Sequence, residues 1–266
     1  MIKINGKLTS VSNFPDGTPL FKLDSALKNN QQINITWLFD SMSELFILQC
    51  IADFYKGCNL FLEMPYIPNA RMDRVKNPDE VFTLKSFAKM VNAMGFKAVV
   101  VDNAHSDVSR ALIENIQDDG LLHINCFLSN RVISNKEINV DTIMFPDAGA
   151  CKRYSELSIV KDCFEIVVGE KTRDWRSGKI LGLEIKGKPE AIKDKNILII
   201  DDICSKGGTF KYSAIELKKL GAKNIYLYIS HCENVIDIDA LKEAGITKVF
   251  TTNSIYRGTN DFVEVC

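Results

Sequence analysis

Residues 196–210 read NILIIDDICSKGGTF, and their order suits the binding of a sugar phosphate. An apolar run, Ile197 to Ile200, ends at two adjacent carboxylates, Asp201 and Asp202. Carboxylates at that place can accept hydrogen bonds from sugar hydroxyls. Ser205, Lys206, Gly207, Gly208 and Thr209 follow, and then a helical pattern from Lys211 to Leu220. Paired glycines let backbone come close to an anion, and the free N–H groups at a helix start bind phosphate. The spacing therefore predicts a buried strand, a turn and a helix N-terminus that together cradle a ribose phosphate.

Other polar residues stand where apolar runs end. Asp102 and His105 follow Val99 to Val101, and Asp147 follows Phe145-Pro146. Lys171 and Arg173 follow Ile166 to Val168, and Arg71, Asp73 and Arg74 follow Met64 to Pro68. In open α/β sheets ligands bind beyond the carboxyl ends of the strands, so such convergence points to an active site. Plainer readings stand beside each. Arg71 and Arg74 also fit surface charges paired with Asp73. Asp147 also fits a turn residue or helix cap. Lys171 to Lys179 also fits a solvated charged loop, and a single His after a strand is commonly structural.

The elements that must position these residues alternate between helix and apolar strand. Short β segments with turns at Asn5-Gly6 and Asp16-Gly17 open the chain. Ser41 to Glu44 reads as a capping box before a helix from Met42 to Tyr55, ended by Gly57. Strand Asn59 to Met64, helix Glu80 to Met94, strand Lys97 to Asp102, helix Val108 to Asn115 and strand Leu121 to Phe127 follow. The second half repeats the scheme. Strand Thr142 to Phe145, helix Ala150 to Leu157 and strands Phe164 to Val168 and Ile180 to Ile185 precede the opening segment. Strand Asn224 to Ser230, helix Val235 to Ala244 and strand Thr247 to Thr251 follow it. This predicts two α/β halves, 1–130 and 131–266, each with a mostly parallel sheet flanked by helices, and a boundary near 129–139. The last residues are expected to pack back on the N-terminal domain.

Composition bounds the rest. The 266 residues are 46% hydrophobic and 25% charged with net charge −1, so no basic surface argues for nucleic acid. The eight cysteines are scattered without a CxxC pair, which predicts reduced thiols in a cytoplasmic protein rather than zinc ligands or disulfides. MIKINGKLTS lacks an apolar signal core, and no apolar run is long enough to span a bilayer.

Six ordered segments resemble the ribose-phosphate diphosphokinases, also called PRPP synthetases. PYIPNARMDR (65–74) resembles the family's ATP-contacting PYxxYARQDR, and VDNAHSD (101–107) its V-D-x-H segment. FPDAGA (145–150) resembles S-P-D-x-G-G, and EKTR (170–173) the start of the mobile catalytic loop. IIDDICSKGGT (199–209) resembles the ribose 5-phosphate loop VDDxxDTGGT, and FPDG (14–17) the FSDGE segment that reaches a neighbouring subunit's nucleotide.

The resemblance implies two type I phosphoribosyltransferase-like domains. It implies transfer of the β,γ-diphosphoryl group of ATP to the anomeric hydroxyl of ribose 5-phosphate, with AMP leaving. Lys171 and Arg173 become the catalytic cations, and Arg71, Asp73, Arg74 and His105 the ATP contacts. Phe14 and Asp16 serve the adenine of another subunit. Asp201 and Asp202 take the ribose hydroxyls, and Ser205 to Thr209 the 5-phosphate. Mg²⁺ is the implied cofactor, with His105 and Asp147 as protein ligands, and a homo-oligomer (dimer or hexamer) sharing the ATP site is the implied assembly. The chain is shorter than common members, which implies loss of their usual allosteric contacts.

The chain departs from the pattern at Thr18 for Glu, Met72 for Gln, and Ser205-Lys206 for Asp-Thr. An added cation in the phosphate loop favours more negative charge near the 5-phosphate. That keeps a second acceptor open, a larger 5-substituted ribose such as ADP-ribose. A PRPP-using phosphoribosyltransferase shares the loop but does not need FPDG or PYIPNARMDR. A non-catalytic regulatory homologue is expected to lose the loop's Lys and Arg, and both are retained here.

Overall fold

The computed structural model describes residues 1–173 and 180–266, with side chains for all of these but 171–173 and 180–182. The chain divides into two compact units, Met1–Leu121 and Leu122–Cys266.

In the first unit, β1 (Ile2–Ile4) and β2 (Lys7–Leu8) form a hairpin. Asn5 and Gly6 turn it with both φ angles positive, 46° and 80°, which is the reason for an Asn-Gly pair at that place. A second hairpin joins β3 (Val11–Asn13) to β4 (Pro19–Phe21). Then β5 (Gln32–Trp37), α1 (Ser43–Phe54), β6 (Asn59–Glu63), α2 (Thr83–Ala93), β7 (Ala98–Val101), α3 (Asp107–Leu112) and β8 (Ile116–Asp118) alternate as expected. The sheet order is β2-β1-β5-β6-β7-β8, parallel from β5 to β8. Ile33, Ile35 and Trp37 alternate inward along β5 and meet Leu48 and Ile51 of α1 in the core.

The capping box at Ser41 does not close as expected. Met42 is the N-cap without a side-chain bond, and the Ser41 and Ser43 hydroxyls bond each other at 2.7 Å. The Glu44 carboxylate still reaches back, accepting from Asp40 N (2.9 Å) and Trp37 Nε1 (2.8 Å). Helix α2 starts later than Glu80 because that carboxylate accepts from Lys76 N (2.7 Å) and Asn77 N (3.3 Å), which keeps residues 76–80 in a turn.

The expected strand Leu121 to Phe127 is a helix. Here α4 (Leu122–Phe127) runs into a wider π-type turn, Leu128–Ser134, and the strand is the preceding β8. Ile124, Phe127, Leu128 and Val132 are buried at helical spacing, which the short apolar run concealed. Phe127 packs its ring on Tyr228 and Phe250 at 4.8 and 5.0 Å, so α4 belongs to the second unit.

The second unit continues with β9 (Thr142–Phe145), α5 (Ala148–Tyr154), α6 (Ser158–Cys163), β10 (Glu165–Arg173) and β11 (Ile180–Lys186). After these come β12 (Asn196–Cys204), α7 (Gly208–Lys219), β13 (Asn224–Cys232), α8 (Ile238–Glu243), β14 (Ile246–Thr251) and β15 (Val263–Val265). Their order is β11-β10-β9-β12-β13-β14-β15, and only β11 is antiparallel to its neighbour. The central strands are buried on both faces, so β9 and Ile197 to Ile200 of β12 read as unbroken apolar runs. The last residues, expected against the N-terminal domain, extend this sheet: Val263 to Val265 pair with β14, and Arg131 bonds Glu264. Among the described residues no helix is long and apolar enough to cross a membrane. The eight cysteines are free thiols.

Candidate active site

The paired acids are strand residues. Pairing of β12 with β13 continues through Asp201 opposite Ile229 to Cys204 opposite Cys232, so the strand outlasts its apolar run. The turn after it is short. Gly207 has φ +87° and is the N-cap of α7, which starts at Gly208, three residues earlier than its apolar pattern suggests. Gly208, Thr209 and Phe210 therefore form the first helical turn, whose N–H groups have no carbonyl to bond within the helix. A Cβ at Gly208 would meet nothing within 4 Å, so the backbone there is open to an incoming group. The Lys206 side chain is exposed, and its carbonyl accepts from Asp237 N at 3.2 Å.

Negative charge gathers at the carboxyl ends of β9 and β12, which are neighbours in the sheet. Asp147 caps α5, accepting from Ala150 N at 3.0 Å, so the plain cap reading holds for one of its oxygens. Asp202 is buried, and its N–H donates to Asp201 Oδ1 at 2.9 Å. Arg153 Nη1 lies 3.4 Å from Asp202 Oδ2. Burial, followed by the charges of Asp202 and Asp147, pushes the Asp201 carboxyl well above the ordinary carboxylate range. Lys171 and Arg173 have backbone in β10, opposite Leu183 and Ile180 of β11. Their side chains lie outside the described residues, as does the segment 174–179.

In the first unit two loops lie at the ends of adjacent strands. Residues 64–74 follow β6 and residues 102–106 follow β7, and Asp102 N donates to Pro65 O at 3.0 Å. Arg71 and Arg74 are exposed, while Asp73 is nearly buried and accepts from Arg74 Nε at 3.1 Å. That is the surface pair left open by the sequence, presented beside Arg71.

The loop carrying His105 is fixed by a residue that no motif marked, Asp118. Its carboxylate accepts from Ala104 N (3.3 Å), Gly120 N (2.9 Å) and Arg110 Nε (2.7 Å). Gly120 lies so close to Asn103 that a Cβ would sit 2.1 Å from its backbone nitrogen. The Asp-Asp-Gly ending of β8 was the available signal. Asp118→Asn is expected to cost about 2 kcal/mol of stability in denaturant unfolding and, if this loop contacts ATP as the resemblance implies, to raise the KM for ATP without changing that for the sugar. An unchanged ATP KM removes Asp118 from loop positioning.

Phe14 and Asp16 lie on the separate β3–β4 hairpin. The Phe14 ring is exposed, and Asp16 accepts from the Thr18 hydroxyl (2.7 Å) and the Thr18 N–H (3.0 Å). These bonds, the hydroxyl's first, hold the Asp16 carboxyl below its usual range. Thr18, which replaces the resembling family's Glu, thus fixes Asp16 at the tip.

Comparison with known proteins follows this geometry. Residues 113–262 match the phosphoribosyl transferase domain family. The chain belongs to that family. Ribose-phosphate pyrophosphokinases are similar over longer stretches. That of Sulfolobus acidocaldarius is 26% identical over 98% of this chain and 87% of its own length. That of Saccharolobus solfataricus is 25% identical over 100% of this chain and 89% of its own. That of Ureaplasma parvum is 29% identical over 72% of this chain, and the match spans 56% of that protein. The phosphoribosylpyrophosphate synthetase of Mycobacterium smegmatis shares the fold, with a TM-score of 0.75 at 16% identity, covering 97% of this chain and 85% of that one. The two mostly parallel sheets and the resemblance read from the six motifs are borne out.

Among the described residues no three His, Cys, Asp or Glu side chains are grouped to hold a metal ion. Mg²⁺ rarely needs such a cage, because it keeps waters and leans on substrate phosphates. The donor chemistry suits it. Asp147 and Asp201 are oxygen donors whose mutual repulsion a cation would relieve.

Proposed function

We propose that this protein is a diphosphokinase that moves the β,γ-diphosphoryl group of ATP to the anomeric hydroxyl of ribose 5-phosphate, releasing AMP. The observation that carries the reading is the end of β12, where paired acids lead through Gly207 into the open first turn of α7. The names of the relatives above agree with it.

The 5-phosphate sits on the N–H groups of Gly208 to Phe210 and the Thr209 hydroxyl, with Ser205 and Lys206 at the rim. Asp201 and Asp202 accept from the ribose hydroxyls. Arg71, Asp73, Arg74 and His105 hold ATP, and the residues that would serve as Mg²⁺ ligands are those the resemblance implies, His105 in the first unit and Asp147 in the second. When bound, Mg²⁺ neutralises the polyphosphate and makes the β-phosphorus easier to attack. The sugar hydroxyl attacks that phosphorus and loses its proton to solvent, the bond from the β-phosphorus to the oxygen bridging to the α-phosphate breaks, and AMP leaves with that oxygen and its charge. Lys171 and Arg173 offset the charge on the moving group and on AMP. Phe14 and Asp16 meet the adenine of a neighbouring subunit in a homo-oligomer, and the protein works in the cytoplasm.

Lys206 supports a second reading. Its exposed ammonium stands at the cradle's edge, where a diphosphate would continue beyond the 5-phosphate, as in ADP-ribose. Parallel assays with Mg-ATP and either sugar, following AMP, separate the two. We expect AMP with ribose 5-phosphate. AMP with ADP-ribose alone moves the assignment to the larger acceptor, and none with either overturns the reaction.

A further inference from the structure

Arg153 lies outside the residues to which the resemblance gives roles, yet it is a cation set against the acids read as sugar-binding. Its guanidinium and the Asp202 carboxylate form an ion pair with side chains only 20% and 8% exposed. The helix that carries Arg153 is fixed at both ends. Asp147 caps its start, and near its end Tyr154 is fully buried and stacks on Phe145 at 6.1 Å with the rings 23° apart. Arg153 therefore reaches Asp202 from an anchored base rather than from a loose surface. Asp202 and Asp147 both set negative charge against Asp201, and Arg153 offsets part of that charge from the Asp202 side. A buried carboxylate without a partner turns away or takes a proton.

We infer that Arg153 is a positioning residue for the sugar acceptor: it holds the Asp202 carboxylate in the one orientation that accepts from a ribose hydroxyl, without touching the sugar itself. This rests on reading Asp201 and Asp202 as the ribose site.

The test uses the whole chain as wild type, Arg153→Gln, Arg153→Lys, Asp202→Asn and the Arg153→Gln/Asp202→Asn double variant. Turnover is measured with Mg-ATP and ribose 5-phosphate, and ribose 5-phosphate binding by calorimetry. Arg153→Gln is expected to raise the acceptor KM about 10- to 100-fold, the worth of one hydrogen bond to a charged group. The ATP KM stays within about twofold, and Arg153→Lys restores part of the loss. The double variant is no worse than Asp202→Asn, because Arg153 acts only through that carboxylate. Should Arg153→Gln make the fold unstable, the double variant removes both charges and is compared with Asp202→Asn alone. Additive losses, or a fall in kcat at unchanged acceptor KM, overturn the inference. If Asp202→Asn weakens acceptor binding and Arg153→Gln does not, the positioning role alone fails. If Asp202→Asn has no effect, the ribose-site reading fails with it.

Discussion

Lys171→Ala is expected to slow turnover about a thousand-fold, with the KM for ribose 5-phosphate changed little and the fold intact. The transition state of phosphoryl transfer spreads charge over the moving group and the leaving oxygen, so a cation there lowers the barrier more than it tightens the ground state. Residual turnover is expected on the proposal that Arg173 supplies a second cation. The fold survives because Lys171 contributes backbone to the β10–β11 pair, opposite Leu183, and alanine preserves that pairing. Single-turnover AMP formation measures the step, and coincident unfolding curves check the fold. A raised ATP KM at normal kcat would make Lys171 a binding residue only. Near-normal values of both would remove it from the mechanism and revive the regulatory homologue.

The sequence was most legible where local chemistry and tertiary demand agree. Asn5-Gly6 and Gly207 mark positive φ because few other residues adopt it at so little cost, and the apolar runs of β9 and β12 show strands buried on both faces. It was least legible where distant partners decide. Leu121 to Phe127 has the composition of a strand, and it becomes a helix because Phe127 must meet Tyr228 and Phe250. Glu80 has a high helix propensity and is spent on the turn before α2. Asp118 and Arg153 lie outside the assigned motif residues because they act on loops and carboxylates far along the chain. Only the fold brings Arg153 against Asp202 and Asp118 against Ala104. Motifs mark the groups proposed to meet substrate, and the groups that hold them in place emerge from packing.

Gly207→Val is expected to raise the acceptor KM by about 100-fold or more, the scale of two lost charge-assisted hydrogen bonds, while the ATP KM holds. At φ +87° a β-branched residue carries a strain of about 1–2 kcal/mol or more. Its Cβ would also sit 3.1 to 3.3 Å from the Leu241 side chain, which is buried in α8. Both costs are relieved by moving the turn, which swings the N–H groups of Gly208 to Phe210 away from the phosphate. A lower unfolding midpoint should accompany the loss of binding. Gly208→Ala separates the two effects. A methyl there meets nothing within 4 Å and breaks no backbone rule, so the unfolding midpoint should stay close to wild type. The same methyl enters the space assigned to the phosphate, so acceptor binding should still fall. Calorimetry with ribose 5-phosphate on both variants decides the matter. If Gly208→Ala binds the sugar as wild type does, the phosphate does not sit on the first turn of α7.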